Sequence, residues 1–203
     1  MAWGNGMLTG IVIDALDVTR MEHFWSQATQ GRTGGLHLRF VPTSEPKTSY
    51  KNRLHLDLAG GEDWQGEVAR LLSLGATHAD IGQGNVPWDV LADPEGNEFC
   101  VLRPGHPGVL TDSGLAAICL DVTEEDLLAQ KAFWRSRSQW HAVESHDWGV
   151  RLRPTPTSPV SLVMGPPAAP KQARNRLRLE IKQRAGEPGE FLDPGNNEFH
   201  VIG

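Results

Sequence analysis

Alternating and unbroken apolar stretches mark strands along this chain, and a 3.6-residue period marks the helices between them. Leu8 to Leu16 is apolar and rich in β-branched residues, which predicts a strand. Asp17 or Thr19 then offers an N-cap for a helix running to about Gln30. Leu54 to Leu58 alternates with Arg53, His55 and Asp57, so one face of that strand is apolar and the other polar. Val68, Leu71 and Leu72 give Asp63 to Leu74 a helical stripe, and Gly75 stops it. Trp88 to Leu91 and Glu98 to Leu102 are strands. They are joined by the turn Asp93-Pro94-Glu95-Gly96-Asn97, where Pro presets one φ angle and Gly or Asn accepts a positive one. Mostly antiparallel strands with a few helices make an α+β chain.

Three segments recur in the same order, which predicts two copies of one unit. Leu16-Asp17-Val18-Thr19 with Phe24-Trp25 is echoed by Leu120-Asp121-Val122-Thr123 with Phe133-Trp134. Asn52-Arg53-Leu54-His55-Leu56-Asp57-Leu58 is echoed by Asn175-Arg176-Leu177-Arg178-Leu179-Glu180-Ile181. The Asp93–Val101 segment is echoed by Asp193–Val201. The expected division is 1–105 and 113–203, with a linker at 106–112 in a region rich in Gly and Pro. The copies are unequal. His55 to Asp93 spans 38 positions (93 − 55), but Arg178 to Asp193 spans 15 (193 − 178), so the second copy lacks a helix and a strand there. The first copy is short between Gln30 and Pro46, with room for one strand. The corresponding part of the second copy has candidates near Trp140–Val143, Gly149–Arg153 and Val160–Met164.

Composition narrows the function classes. A net charge of −6 argues against a nucleic-acid partner, which would favour a basic face. No apolar run approaches the roughly 18 residues that span a bilayer, so no membrane partner is expected. The start MAWGNGMLTG has neither the basic nor the apolar region of a signal peptide. Two cysteines, Cys100 and Cys119, make no disulfide framework, and a reducing, cytoplasmic setting is the expectation. Walker, CxxC and Gly-x-Ser-x-Gly motifs are absent.

The run Arg53-Leu54-His55-Leu56-Asp57-Leu58, the helix segment Val68 to Thr77, and Trp88 to Cys100 through Asp93-Pro94-Glu95-Gly96-Asn97 resemble the vicinal oxygen chelate superfamily. That superfamily includes glyoxalase I, bleomycin-resistance proteins, fosfomycin-resistance enzymes and extradiol dioxygenases. The resemblance is close over 50–103 and looser over 8–30 and 113–203. It implies paired βαβββ modules whose curved, mostly antiparallel sheets surround a cavity. Metal-dependent members have three ligands, whose positions fall here on Gly10, His55 and Cys100. In the second copy they fall on Gly114, Arg178 and His200. A glycine cannot ligate, so neither copy keeps the full set. A thiolate is still a competent zinc ligand, so His55 and Cys100 remain metal candidates.

Strand parity puts Glu98, Cys100 and Leu102 on one face and Arg53, His55 and Asp57 on another. If both faces line the cavity, His55, Glu98 and Cys100 converge. They would then form a divalent metal site (zinc, nickel, iron or manganese) or a His55/Glu98 acid–base pair. The alternative is a buried structural cluster in which Arg53 or His55 holds Glu98. Recurrence of the pattern as Arg176 and Glu198 favours that scaffold role. Arg178 suits an anionic ligand or Glu198, and His200 is either part of a second cavity or a plain strand residue. Trp25, Trp88, Trp134 and Trp148 offer flat surfaces for an organic ligand or for the core. Cys100 as a nucleophile is disfavoured beside Glu98. The leading expectation is a bleomycin-resistance-like protein, metal-free or weakly metal-binding, that holds a small organic molecule as a monomer or homodimer. The alternatives are a lyase or isomerase using His55 and Glu98, and a pseudoenzyme with a filled cavity.

Overall fold

The β-branched run at the start of the chain forms β1 (Gly6–Ala15), and Asp17 caps α1 (Val18–Ala28) by accepting from the backbone N–H of Arg20 at 3.0 Å. The computed structural model describes residues 6–147, 149–184 and 186–203. Trp148 and residues 1–5, part of the N-terminus read above, lie outside them. After α1 comes β2 (His37–Pro42), the single strand for which the Gln30–Pro46 stretch had room. Next are β3 (Leu54–Ala59), α2 (Trp64–Ser73), β4 (Thr77–His78), β5 (Trp88–Ala92) and β6 (Glu98–Leu102). They are followed by β7 (Leu115–Asp121), α3 (Leu127–Ser138), β8 (His141–His146), β9 (Gly149–Arg153) and β10 (Ser161–Gly165). The chain closes with β11 (Leu177–Gln183), β12 (Gly189–Leu192) and β13 (Glu198–Ile202). No helix separates β11 from β12, as the 15-residue spacing required.

Two βαβββ units are complete: β3-α2-β4-β5-β6 and β7-α3-β8-β9-β10. They join edge to edge through the antiparallel β3–β7 ladder into an eight-stranded sheet, ordered β4-β5-β6-β3-β7-β10-β9-β8. The two shortened pieces, β1-α1-β2 and β11-β12-β13, join through the antiparallel β1–β11 ladder into a five-stranded sheet, ordered β12-β13-β11-β1-β2. Each sheet therefore takes one half from each sequence copy. Antiparallel ladders predominate, as expected. The parallel ones are those joining the first strand of each piece to a later strand, such as β3 with β6 and β7 with β10.

One continuous apolar core joins the two sheets: Ile11 and Ile13 of β1, Leu54 and Leu56 of β3, Ile118 of β7 and Leu179 of β11 all belong to it. Within each copy, an aromatic triad ties the helix of one half to the closing strand of the other. Phe24, Trp25 and Phe99 sit at centroid separations of 5.3–6.1 Å, and Phe133, Trp134 and Phe199 at 5.2–5.5 Å. The indole N–H groups of Trp25 and Trp134 donate to Asp93 at 3.2 Å and to Asp193 at 3.3 Å. Both indoles are thus core and leave no face for a ligand. The same two carboxylates organise the matching turns: Asp93 accepts from the N–H of Glu95 and Asn97, and Asp193 from the N–H of Gly195 and Asn197. Gly96 and Asn196 hold the positive φ that each turn requires, at 87° and 60°.

Candidate functional site in the eight-stranded sheet

β3 is buried on both faces. Leu54, Leu56 and Leu58 enter the core, and alternation sends His55 and Asp57 to the opposite face. Cys119 of β7 pairs across from His55, and Cys100 of β6 pairs across from Asp57. This places a histidine, two thiols and the carboxylates of Asp57 and Asp121 on the floor of a cavity of about 500 Å³. The walls include Leu102, Leu120, Val163 and Pro166, and Glu144 and Arg151 face the cavity from β8 and β9. At the rim, Trp88 donates to Gln83 at 3.0 Å and meets His106 edge-on at 5.8 Å. Mostly apolar walls with a few convergent polar groups, at this volume, are the usual character of a small-molecule site.

The floor is tightly coupled. His55 Nδ1 lies 3.0 Å from Asp57 Oδ1, and its Nε2 lies 3.7 Å from Asp121 Oδ1. Cys119 donates its thiol to Asp57 Oδ2 at 3.1 Å, and Lys51 pairs with Asp121 at 2.5 Å. Burial by itself pulls the imidazole pKa down. The carboxylates of Asp57 and Asp121 overcome that pull and raise it well above the ordinary value, which favours the imidazolium. Burial likewise opposes ionisation of Asp57, and the His55 charge overcomes it, lowering the Asp57 pKa. Both thiols stay protonated: burial and the Asp57 charge push Cys100 up to about 11 and Cys119 well above the usual thiol value. Burial and Asp57, not Glu98, are what disfavour the Cys100 thiolate.

Of the residues singled out from sequence, His55, Cys100 and Trp88 line this cavity and the others do not. Glu98 was expected beside His55. Its carboxylate instead pairs with Lys47 at 2.8 Å and accepts from the N–H of Asn52 at 3.2 Å, so the His55/Glu98 acid–base pair does not assemble. Glu198 repeats those contacts with Lys171 and the N–H of Asn175, which is scaffolding. Arg53 donates to the carbonyls of Ala169 and Gly195, not to Glu98. Arg178 is buried and clamps Asp14 at 2.8 and 2.5 Å, and His200 pairs with Glu190 at 3.0 Å. Sequence reasoning missed roles for Asp57, Cys119, Asp121, Lys51, Glu144 and Arg151. One signal was present: His55/Asp57 and Cys119/Asp121 are polar pairs two positions apart in otherwise apolar strands, and strand parity aims each pair at one face.

The metal-ligand positions implied by the resemblance do not converge. Gly10 lies in the other sheet, paired with Glu180. Gly114 precedes β7, and a Cβ there would meet Arg32 at 2.5 Å. A different donor set does fit a divalent ion: one ligand atom each from His55, Asp57 and Cys119 all lie within 4.8 Å of one another. Nitrogen, oxygen and sulfur donors together suit zinc-class metals.

Two complete βαβββ units sharing one sheet over a polar-floored cavity define the vicinal oxygen chelate fold. Residues 10–102 match the family model described as a glyoxalase-like domain, so this segment is a glyoxalase-like domain. Glyoxalase I from Zea mays is similar to this chain across nearly its whole length: TM-score 0.60 at 10% identity, covering 97% of this chain and 92% of the maize chain. A mutant of the maize protein aligns with TM-score 0.63 at 11% identity, covering 97% and 93%. At such identity the likeness establishes the fold. No curated protein matches the sequence. No helix among the described residues is long and apolar enough to cross a membrane.

Proposed function

We propose that this chain binds a small organic molecule in the cavity of the eight-stranded sheet. The observation that carries the reading is the cavity itself, about 500 Å³ with an apolar wall and a floor of His55, Asp57 and Asp121. Such a site suits a ligand with an apolar body against Leu102, Leu120, Val163 and Trp88 and a polar head on the charged floor. The test is a thermal-shift screen of small aromatic and aliphatic compounds, because a ligand that binds only the folded state raises Tm with dose. Val163→Trp, which puts an indole into the cavity, is expected to abolish the shift for true cavity ligands. Equal shifts in wild type and this variant would overturn the reading.

A second reading, a lyase or isomerase, is favoured by one observation: His55 sits between two carboxylates at the base of a pocket, and these favour its protonated form, which can donate a proton to a bound substrate. In that reading His55 is the acid, and Asp57 and Asp121 replace Glu98 as its partners. Were a divalent ion held by His55, Asp57 and Cys119 instead, it would supply Lewis acidity toward a substrate oxygen, and His55 would be a ligand and not the acid. Retention of full turnover by His55→Gln on an identified substrate would exclude it.

A further inference from the structure

We infer that the cavity takes a monoanionic ligand, an organic carboxylate, and seats its anion on Arg151 in the wall formed by β9. The inference rests on the cavity reading and adds the chemical class of the ligand. Arg151 and Arg153 stand two positions apart on β9, so strand alternation turns both to one face. Both are buried, and Arg151 lines the cavity beside Val163, its partner across the β9–β10 ladder. One carboxylate accompanies them, that of Glu144, 3.2 Å from Arg151 Nε. Burial and the Arg151 charge lower the Arg153 pKa, and Glu144 is the carboxylate that opposes them. Two guanidinium charges against one carboxylate leave this wall a surplus of one positive charge (2 − 1). The floor is balanced by comparison, since Asp57 faces His55 and Asp121 pairs with Lys51 at 2.5 Å. An anion is therefore drawn to the wall, and the floor is left to hydrogen-bond neutral polar groups of the ligand.

The other partners of the two arginines are neutral. Arg151 donates to Ser161 Oγ at 3.0 Å and to the carbonyl of Pro107 at 3.3 Å. Arg153 donates to the carbonyl of Gly108, and its Nε is buried with no hydrogen-bond partner among the described residues. Carbonyls and hydroxyls satisfy donors but cancel no charge, and a buried cation without a counter-ion is costly. Arginine cannot shed its proton to escape that cost. A guanidinium carries five N–H groups, and Glu144, Ser161 and Pro107 take three of those on Arg151. One N–H on each terminal nitrogen is left for a carboxylate to engage. Gly108 keeps the linker close over this group: its φ is 75°, and a Cβ there would sit 2.4 Å from Arg151 Cζ. The fork is thus held in place before a ligand arrives. A carboxylate cancels a surplus of one charge, whereas a phosphate group, at about −1.5 to −2, overshoots it. Glu144 competes for the same guanidinium, so neutralising it should strengthen the site.

The test is calorimetric titration of the full chain with compounds matched in body and differing in head group. The panel is naphthylacetate, naphthylacetamide and naphthylethylamine, and the same three head groups on phenyl and cyclohexyl bodies. Carboxylates should bind about 10–100-fold more tightly than the matching amides, and the amines most weakly. Glu144→Gln should tighten carboxylate binding by about fivefold and leave the amides unchanged. Arg151→Gln should abolish the preference for carboxylate over amide. Should that variant fail to fold, the wild-type series and Glu144→Gln carry the test, since Glu144 is partly exposed. Equal affinity of carboxylates and amides in wild type overturns the inference. So does a preference that survives in Arg151→Gln, or a Glu144→Gln variant that binds carboxylates no more tightly. Amides or amines that bind wild type, lose binding in Val163→Trp and match the carboxylates would leave the cavity reading standing while this inference falls. Should no compound of the panel bind, the inference falls, and the broader thermal-shift screen decides the cavity reading separately.

Discussion

The two sheets are built from corresponding strands, yet the central polar face of one lines a cavity, while the matching positions of the other are tied up in ion pairs. In the repeat, His55, Asp57 and Cys100 of the eight-stranded sheet correspond to Arg178, Glu180 and His200 of the five-stranded one. Arg178 is long enough to reach across to Asp14 on β1, and it also lies 3.4 Å from Glu190. Glu180 pairs with Arg39 at 2.5 Å. Each charge thus finds its partner inside the sheet face, and little polar capacity remains for a ligand. His55 is short, and the strands beside it carry thiols and alanine where bulk would be needed to fill the space. Exchanging a short titratable side chain for a long permanent cation converts a binding floor into a structural clamp.

Removing the clamp should give the largest effect. Arg178→Met leaves Asp14 buried with only the half-exposed Arg174 as a partner, and is expected to cost about 3–5 kcal/mol, read from urea denaturation. His55→Gln, in a floor open to water from the cavity and with Lys51 still neutralising Asp121, should cost about 1–2 kcal/mol. Equal costs would erase the distinction between clamp and floor.

The two histidines should bend the pH profile in opposite directions. The raised His55 pKa means that its stabilisation is complete below the unfolded value of about 6.5 and fades as pH rises through the folded value. At the acid end, the same pair is lost as pH falls through the lowered value of Asp57. Burial and then the Arg178 charge lower the pKa of His200, so protonating it below about pH 6.5 destabilises the fold. Urea midpoints at pH 5, 7 and 9 check both signs. The gap between wild type and His55→Gln should narrow toward pH 9, and His200→Gln should lose less stability than wild type between pH 7 and 5. A gap that widens toward pH 9 would refute the assignment for His55.

The smallest effect concerns the thiols. With Cys100 at about 11 and Cys119 also raised, iodoacetamide should label both slowly at pH 7.5. The rate at Cys100 should climb about tenfold per pH unit toward pH 11, because the thiolate is the nucleophile. Fast labelling at pH 7.5 would show that the thiols do not stand in a buried, carboxylate-flanked setting.

Much of the fold was legible in the chain. Asp17 capped α1 where its position suggested, the Asp63–Leu74 stretch became α2, and Glu98 to Leu102 became a strand with those bounds. The missing helix after Arg178 followed from spacing alone. The candidate site was half legible. His55, Cys100 and Trp88 reached the cavity, but Glu98 went to Lys47, because nothing in the local pattern reveals that a lysine 51 positions earlier (98 − 47) folds back onto β6. Cys119 and Asp121 were visible only as members of a repeat. Their role depended on β7 pairing with β3.

Local periodicity and turn chemistry determined the strands, the helices and the face on which each side chain stands. These depend on backbone geometry and on the polarity of near neighbours. Strand alternation specifies faces but names no partner strand. The pairing of β3 with β7 and of β1 with β11 was decided only when the apolar faces of both copies met in one core. That pairing set His55 and Asp57 beside Cys119 and Asp121 over a cavity, and tied Arg178 to Asp14 in the five-stranded sheet.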